Sequence, residues 1–274
     1  MEEKVAIHWG GTQQIEGLGS NGAGGVARRS ISPGEAFMYR FVVHRLGKSP
    51  YYSYYRMQTE DGLHGFIDVL PPYGMPKPFT SDYDESIILD DRYYESNYDW
   101  AAERELLLIP GKGKFDCAES TTPSSRPTAC NAINPEYSCW RVVPGKTYRL
   151  NISSVTAQST LSFQIQVHNL TVVEADGHYV EPFVVQSLIV YSGKTYSLSF
   201  KADQDPSRNY SITTNIVGQN ATATILTPLG QAVLSYSPPG GPIRNDVMPQ
   251  LVQSLGSKAR PEYQMMSAFL LMLA

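Results

Sequence analysis

Charge is scarce in this chain: only 18% of its 274 residues are charged, and Lys+Arg 22 against Asp+Glu 26 leaves a net charge of −4. No basic run is present to displace counterions from a phosphate backbone, so nucleic acid is excluded as the expected partner. Long apolar runs are missing too. None approaches the roughly 18–20 residues that a bilayer span requires. Met1 to Val5 carries Glu2, Glu3 and Lys4 with no apolar segment after it, so no secretory signal is read in the chain as written. Cysteine is rare and odd in number (Cys117, Cys130, Cys139), which leaves at least one without a partner inside the chain. Histidine numbers only five.

What is plentiful points to strands and turns. Tyrosine reaches 18, glycine 22 and proline 19, and apolar residues make up 42%. That composition favours β structure over a helical bundle. Gly17, Gly19 and Gly22 have the spacing of a dinucleotide fingerprint, but Gly24 and Gly25 follow and no helix starts, so the stretch reads as loop. Residues 111–114 lack the spacing of a phosphate-binding loop. After the Pro33–Gly34 turn, Phe37, Tyr39, Phe41 and Val43 alternate as in a strand. Further strands are expected at 63–69, 86–89, 147–152, 161–167, 184–191, 196–200, 210–217 and within 221–235. Residues 99–108 have the one helix-like composition in the middle of the chain, and 119–134 read as loop. Seven or so short strands at intervals near ten residues indicate an antiparallel sandwich or barrel. Four sequons, at Asn151, Asn169, Asn209 and Asn220, favour a secreted glycoprotein despite the missing signal. The tail from 239 loses the strand pattern. It ends in ten largely apolar residues, a greasy helix or an artefactual terminus.

Several segments resemble one family. Residues 172–183 (VVEADGHYVEPF), 191–197 (YSGKTYS) and 203–207 (DQDPS) are similar to the middle cupredoxin domain of the plant ascorbate oxidases, which are multicopper oxidases. Residues 111–117 and 146–150 fit the entry to that domain. In the first half, Ile7-His8-Trp9-Gly10-Gly11 resembles the family's I-H-W-H-G, and residues 33–43 with 57–63 fit the end of its first domain.

The resemblance implies an all-β fold of cupredoxin-like Greek-key sandwiches: a truncated first domain over 1–72, a near-complete middle domain over 81–238, and a tail over 239–274. It implies a copper-dependent oxidoreductase, taking electrons from ascorbate or a phenolic reductant and reducing dioxygen to water, secreted to the apoplast. It also implies a ligand set that this chain does not keep. Of two histidine pairs in the first domain, His8 is retained as a vestigial copper-ligand position, its pair mate is Gly10, and the second pair falls on Tyr52 and Tyr54. The family's third domain is not found in these residues. The expectation is therefore a copper family in which this chain binds none and is inactive alone. A non-catalytic extracellular or cell-wall binding protein is the alternative, and a truncated product is a third reading. Cys117 and Cys130 take a disulfide role by resemblance, and Cys139 is left free.

His44, His64, His168 and His178 match no ligand position and read as turn or strand-face residues. Asp82, Asp84, Glu85, Asp90 and Asp91 read as a solvated face, with paired acid–base carboxylates as the alternative. Tyrosines 51, 52, 54 and 55 fill space left by lost histidines, or stack on a sugar. A sheet edge exposed by the missing first strands would favour self-association.

Overall fold

The computed structural model describes residues 3–11, 30–43, 46–56, 58–59, 61–70, 72, 79–92, 106–108, 138–157, 159–217 and 230–236. The glycine-rich loop, His44, residues 99–105, Cys117, Cys130, Asn220 and the tail lie outside them. Within the described residues the secondary structure is all β, in three sheets.

The first sheet has the order β1–β2–β3, from β1 (Ile7–Trp9), β2 (Gly47–Ser53) and β3 (His64–Val69). All its pairings are antiparallel. Tyr51 stands opposite Gly65, and its ring lies where a side chain at 65 would be. An aromatic ring covering a cross-strand glycine supplies the packing that the glycine omits.

The other two sheets form a sandwich. One runs β10–β9–β12–β7–β4–β5, from β4 (Tyr83–Arg92), β5 (Leu106–Leu108), β7 (Thr147–Ser154), β9 (Leu170–Ala175), β10 (His178–Val185) and β12 (Thr195–Lys201). The other runs β11–β8–β13–β14–β6, from β6 (Ser138–Val142), β8 (Leu161–Ile165), β11 (Leu188–Val190), β13 (Asn209–Ile216) and β14 (Gly230–Tyr236). The chain crosses repeatedly between the two sheets, with β4–β5, β9–β10 and β13–β14 as hairpin neighbours within one sheet, and β4–β7 and β6–β14 pair in parallel. The core between the sheets holds Leu89, Leu150, Ile152, Phe163, Leu198, Ile212 and Leu234, all fully buried. Its turns have a local cause. Asp176 and Gly177 both take positive φ (47° and 79°), the left-handed pair that a two-residue hairpin demands, and Asp-Gly supplies it.

The structure corrects several expectations. Residues 37–43 alternate but join no sheet; Tyr39 and Phe41 pack their rings on Trp9 instead. Leu106–Leu108, expected in a helix, is a strand paired with β4. The 86–89 strand extends to ten residues. Leu161, Phe163 and Ile165 are buried together, but Val167 is 70% exposed at φ 62°, because the chain turns after Ile165. The run 184–191 is two strands: Val185 ends in one sheet and Leu188 begins in the other. The sandwich also needs chain from before residue 146. β4 and β6, from before residue 146, are sheet members, and Leu89 and Val142 are in the core.

Asp90 and Asp91 are not a solvated face. Both are buried, and Asp91 accepts bonds from Ala157 N at 2.8 Å and Ser159 Oγ at 2.7 Å. The carboxylate holds a loop to β4 rather than doing acid–base work. Among the sequons, Asn169 is exposed and Asn209 half-buried. Asn151 is 2% exposed, donates to Glu85 O at 3.1 Å and lies 2.7 Å from Ser197 Oγ through its other amide atom. A glycan there would have to replace those bonds and exclude the neighbouring strands, so this fold leaves no room for one at Asn151.

Candidate functional site

β1 places His8 directly opposite Tyr52, and the chain leaving β2 returns Tyr54 to the same imidazole. The ring centroids lie 5.2 Å (Tyr52) and 4.6 Å (Tyr54) from that of His8, and the two tyrosines meet edge to face at 5.4 Å. The structure thus brings together the residues that the sequence placed at ligand positions. Burial, helped by a hydrogen bond with Tyr54, holds the Tyr52 phenol well above its usual range. A phenol kept protonated is a poor metal ligand, because binding requires the deprotonated form.

Residue 10 is closed off by backbone. Gly10 N donates to Pro50 O at 2.8 Å, and a Cβ at 10 would stand 2.9 Å from that carbonyl oxygen and 3.4 Å from Tyr52 Cε1. A side chain there needs the β2 backbone to shift. Copper needs several imidazole, thiolate or carboxylate donors in defined geometry. The described residues contain no grouping of three His, Cys, Asp or Glu that could hold a metal. The surroundings of His8 therefore do not fit copper.

Among the described residues, His64 and His168 have hydrogen-bond partners within the fold. His64 Nδ1 lies 3.0 Å from Thr59 O, and His178 is exposed on edge strand β10. His168 is buried, with Nδ1 2.7 Å from Gln166 O and Nε2 2.7 Å from the Tyr236 hydroxyl. The carbonyl can only accept, so Nδ1 carries the proton and Nε2 accepts from Tyr236. Burial lowers the His168 pKa and pushes the Tyr236 phenol up to about 12. Cys139 is an exposed free thiol.

Sequence reasoning missed a polar seam. On β7 the side chains of Arg149, Asn151 and Ser153 point away from the sandwich core, the pattern of a solvated face, yet all three are buried. Arg149 forms an ion pair with Glu174 of β9, and Ser197 Oγ lies 3.1 Å from the guanidinium and 2.9 Å from the carboxylate. Phe79 stacks over Arg149 at 4.8 Å. The covering layer is the start of β2: Gly47 lies against this pair, and Lys48 Nζ donates to Ser86 Oγ at 2.9 Å. No local signal could have shown it, because the cover comes from a hundred residues away.

Where the seam opens, beside His8, there is a cleft of about 150 Å³. One wall is Lys48, Ser49 and Tyr52 of β2, and the other is the Asp176–Gly177 turn with Gly193 and Thr195.

Comparison with known proteins identifies the family. A multicopper oxidase family model matches residues 83–239, and a second multicopper oxidase model matches 1–73. L-ascorbate oxidase from Nicotiana tabacum is 37% identical over 251 residues, which are 86% of this chain and 43% of that protein. Laccase-1 of Fomitopsis schrenkii is 34% identical, over 93% of this chain and 47% of its own length. Among solved structures, the laccase from Botrytis aclada superposes with a TM-score of 0.71 at 26% identity, over 91% of this chain and 46% of that one. The chain spans less than half the length of these relatives. With two family models covering most of its residues, and a pair of packed Greek-key sheets of the same kind, the chain belongs to the multicopper oxidase family.

Proposed function

We propose that residues 1–274, by themselves, do not bind copper stoichiometrically and do not oxidise ascorbate, although the family to which they belong is a family of copper oxidoreductases. The observation that carries this reading is the packing at residue 10. There the β2 backbone occupies the space a second imidazole would need, while Tyr52 and Tyr54 stand against His8 at the positions that the resemblance gives to the second histidine pair. One imidazole does not complete a copper site. The reading extends to two units, 1–72 and 81–238, and to a secreted, glycosylated chain with Asn169 as its exposed acceptor. It also includes self-association through β3, an edge of the first sheet.

The test is metal analysis of the purified chain together with oxygen uptake on ascorbate. The expected result is copper well below one equivalent and no ascorbate-dependent uptake. Stoichiometric copper with uptake that His8→Ala abolishes would overturn the reading. A second reading, a non-catalytic extracellular binding protein, is favoured by the cleft beside His8.

A further inference from the structure

We infer that the cleft between β2 and the turns at 176–177 and 192–193 is a binding site for one neutral, polyhydroxylated ring of the size of a monosaccharide. This deepens the binding-protein reading and does not depend on the copper reading.

Size comes first. At about 150 Å³ the cleft is below the usual range for drug-sized ligands, so what it encloses is no more than a single ring. Glycine keeps it open. A Cβ at Gly11 would stand 3.1 Å from Ser49 Oγ, whereas one at Gly193 would meet nothing within 4 Å, so the mouth is wide on the sandwich side.

Charge decides the ligand class. Lys48 is matched within the protein, with Asp68 at 4.0 Å and Ser86 Oγ accepting its hydrogen bond. Asp176 is matched by Lys194 at 2.7 Å and by Thr195 N at 3.0 Å. With both wall charges already paired inside the protein, neither is left over to neutralise a ligand carboxylate or ammonium, and either ion would lose water without a counter-charge. A neutral molecule has no such cost. The walls still offer hydroxyl, ammonium and carboxylate groups suited to ligand hydroxyls, and the Tyr52 ring supplies an apolar surface for ring C–H groups.

The test uses the full chain, freed of metal by chelator, so that its outcome is independent of copper. Saturation-transfer NMR and titration with D-glucose are expected to show a Kd on the order of millimolar, the range for so few contacts. Glucuronate and glucosamine should bind at least about fivefold more weakly. Gly11→Asn, a residue that tolerates left-handed φ and fills the cleft, should weaken glucose binding at least about tenfold. Ser49→Ala, which removes a hydroxyl from the β2 wall, should weaken it about threefold and covers the case in which Gly11→Asn does not fold. No saturation transfer at sugar concentrations on the order of 100 mM overturns the site. So does unchanged glucose affinity in a folded Gly11→Asn or in Ser49→Ala, or tighter binding of either charged sugar.

Discussion

The three-stranded sheet at the N-terminal end and the sandwich from Tyr83 to Tyr236 are both β structure, but they are held together differently. The sandwich closes two sheets over a dry core in which ten large side chains are fully buried. In the described residues from 3 to 72, the buried positions are Ala6, Gly10, Pro50, Ser53 and Thr59, and no leucine, isoleucine, valine or aromatic is among them. That sheet is held instead by half-exposed rings, with Trp9 against Tyr39, Phe41 and Tyr51, and by its polar seam with the sandwich. A core sheltered on both sides tolerates little change. A sheet with one covered face can lose ligand residues and close up around the loss.

The largest effect should come from the core. Leu150→Ala on central strand β7 is expected to cost about 3–5 kcal/mol in denaturant unfolding. Phe66→Ala on half-buried β3 should cost about 1–2 kcal/mol. Equal costs would break the contrast between the regions. Next is the seam. Glu174→Ala leaves the Arg149 guanidinium buried without its carboxylate and should cost about 3 kcal/mol, whereas the double change Arg149→Met, Glu174→Leu should regain most of it. If the single change costs less than about 1 kcal/mol, the buried pair does not tie β7 to β9.

Gly10→His is expected to destabilise by about 1–3 kcal/mol through the clash with Pro50 O, without raising copper affinity. Isothermal titration with copper and an unfolding curve on the same preparation would check both halves. The smallest effect is a pH slope. His168 has a lowered folded pKa because burial disfavours its charged form. The unfolded chain therefore binds the extra proton first, and stability falls as pH drops below the ordinary histidine value of 6.5, levelling off once the folded pKa is passed. The slope attributable to one proton is at most about 1.4 kcal/mol per pH unit, and His168→Phe should remove it.

Much of the sandwich is legible in the sequence because its signals are local. Leu161, Phe163 and Ile165 alternate with polar residues and are buried as a set. The Asp176–Gly177, Ser192–Gly193 and Pro144–Gly145 pairs stand at turns where Gly177, Gly193 and Gly145 take positive φ. The candidate site was legible in part. His8, Tyr52 and Tyr54 were identified as one group, and strand pairing does bring them together. The closure of residue 10 was not, because the carbonyl that fills its space belongs to Pro50, forty residues away.

The sequence by itself determined most of the sandwich's strands, its glycine turns and, by resemblance, the family, since these rest on local residue patterns. Only the tertiary structure decided which alternating faces are dry. Phe37 to Val43 has a strand's alternation and joins no sheet, whereas Arg149, Asn151 and Ser153 have a solvent face's polarity and lie buried. Val184 to Tyr191 reads as one strand and is divided between two sheets. The physical reason is the same in each case. Periodicity shows that a segment has two unlike faces, but what covers each face is chosen by chain distant in sequence.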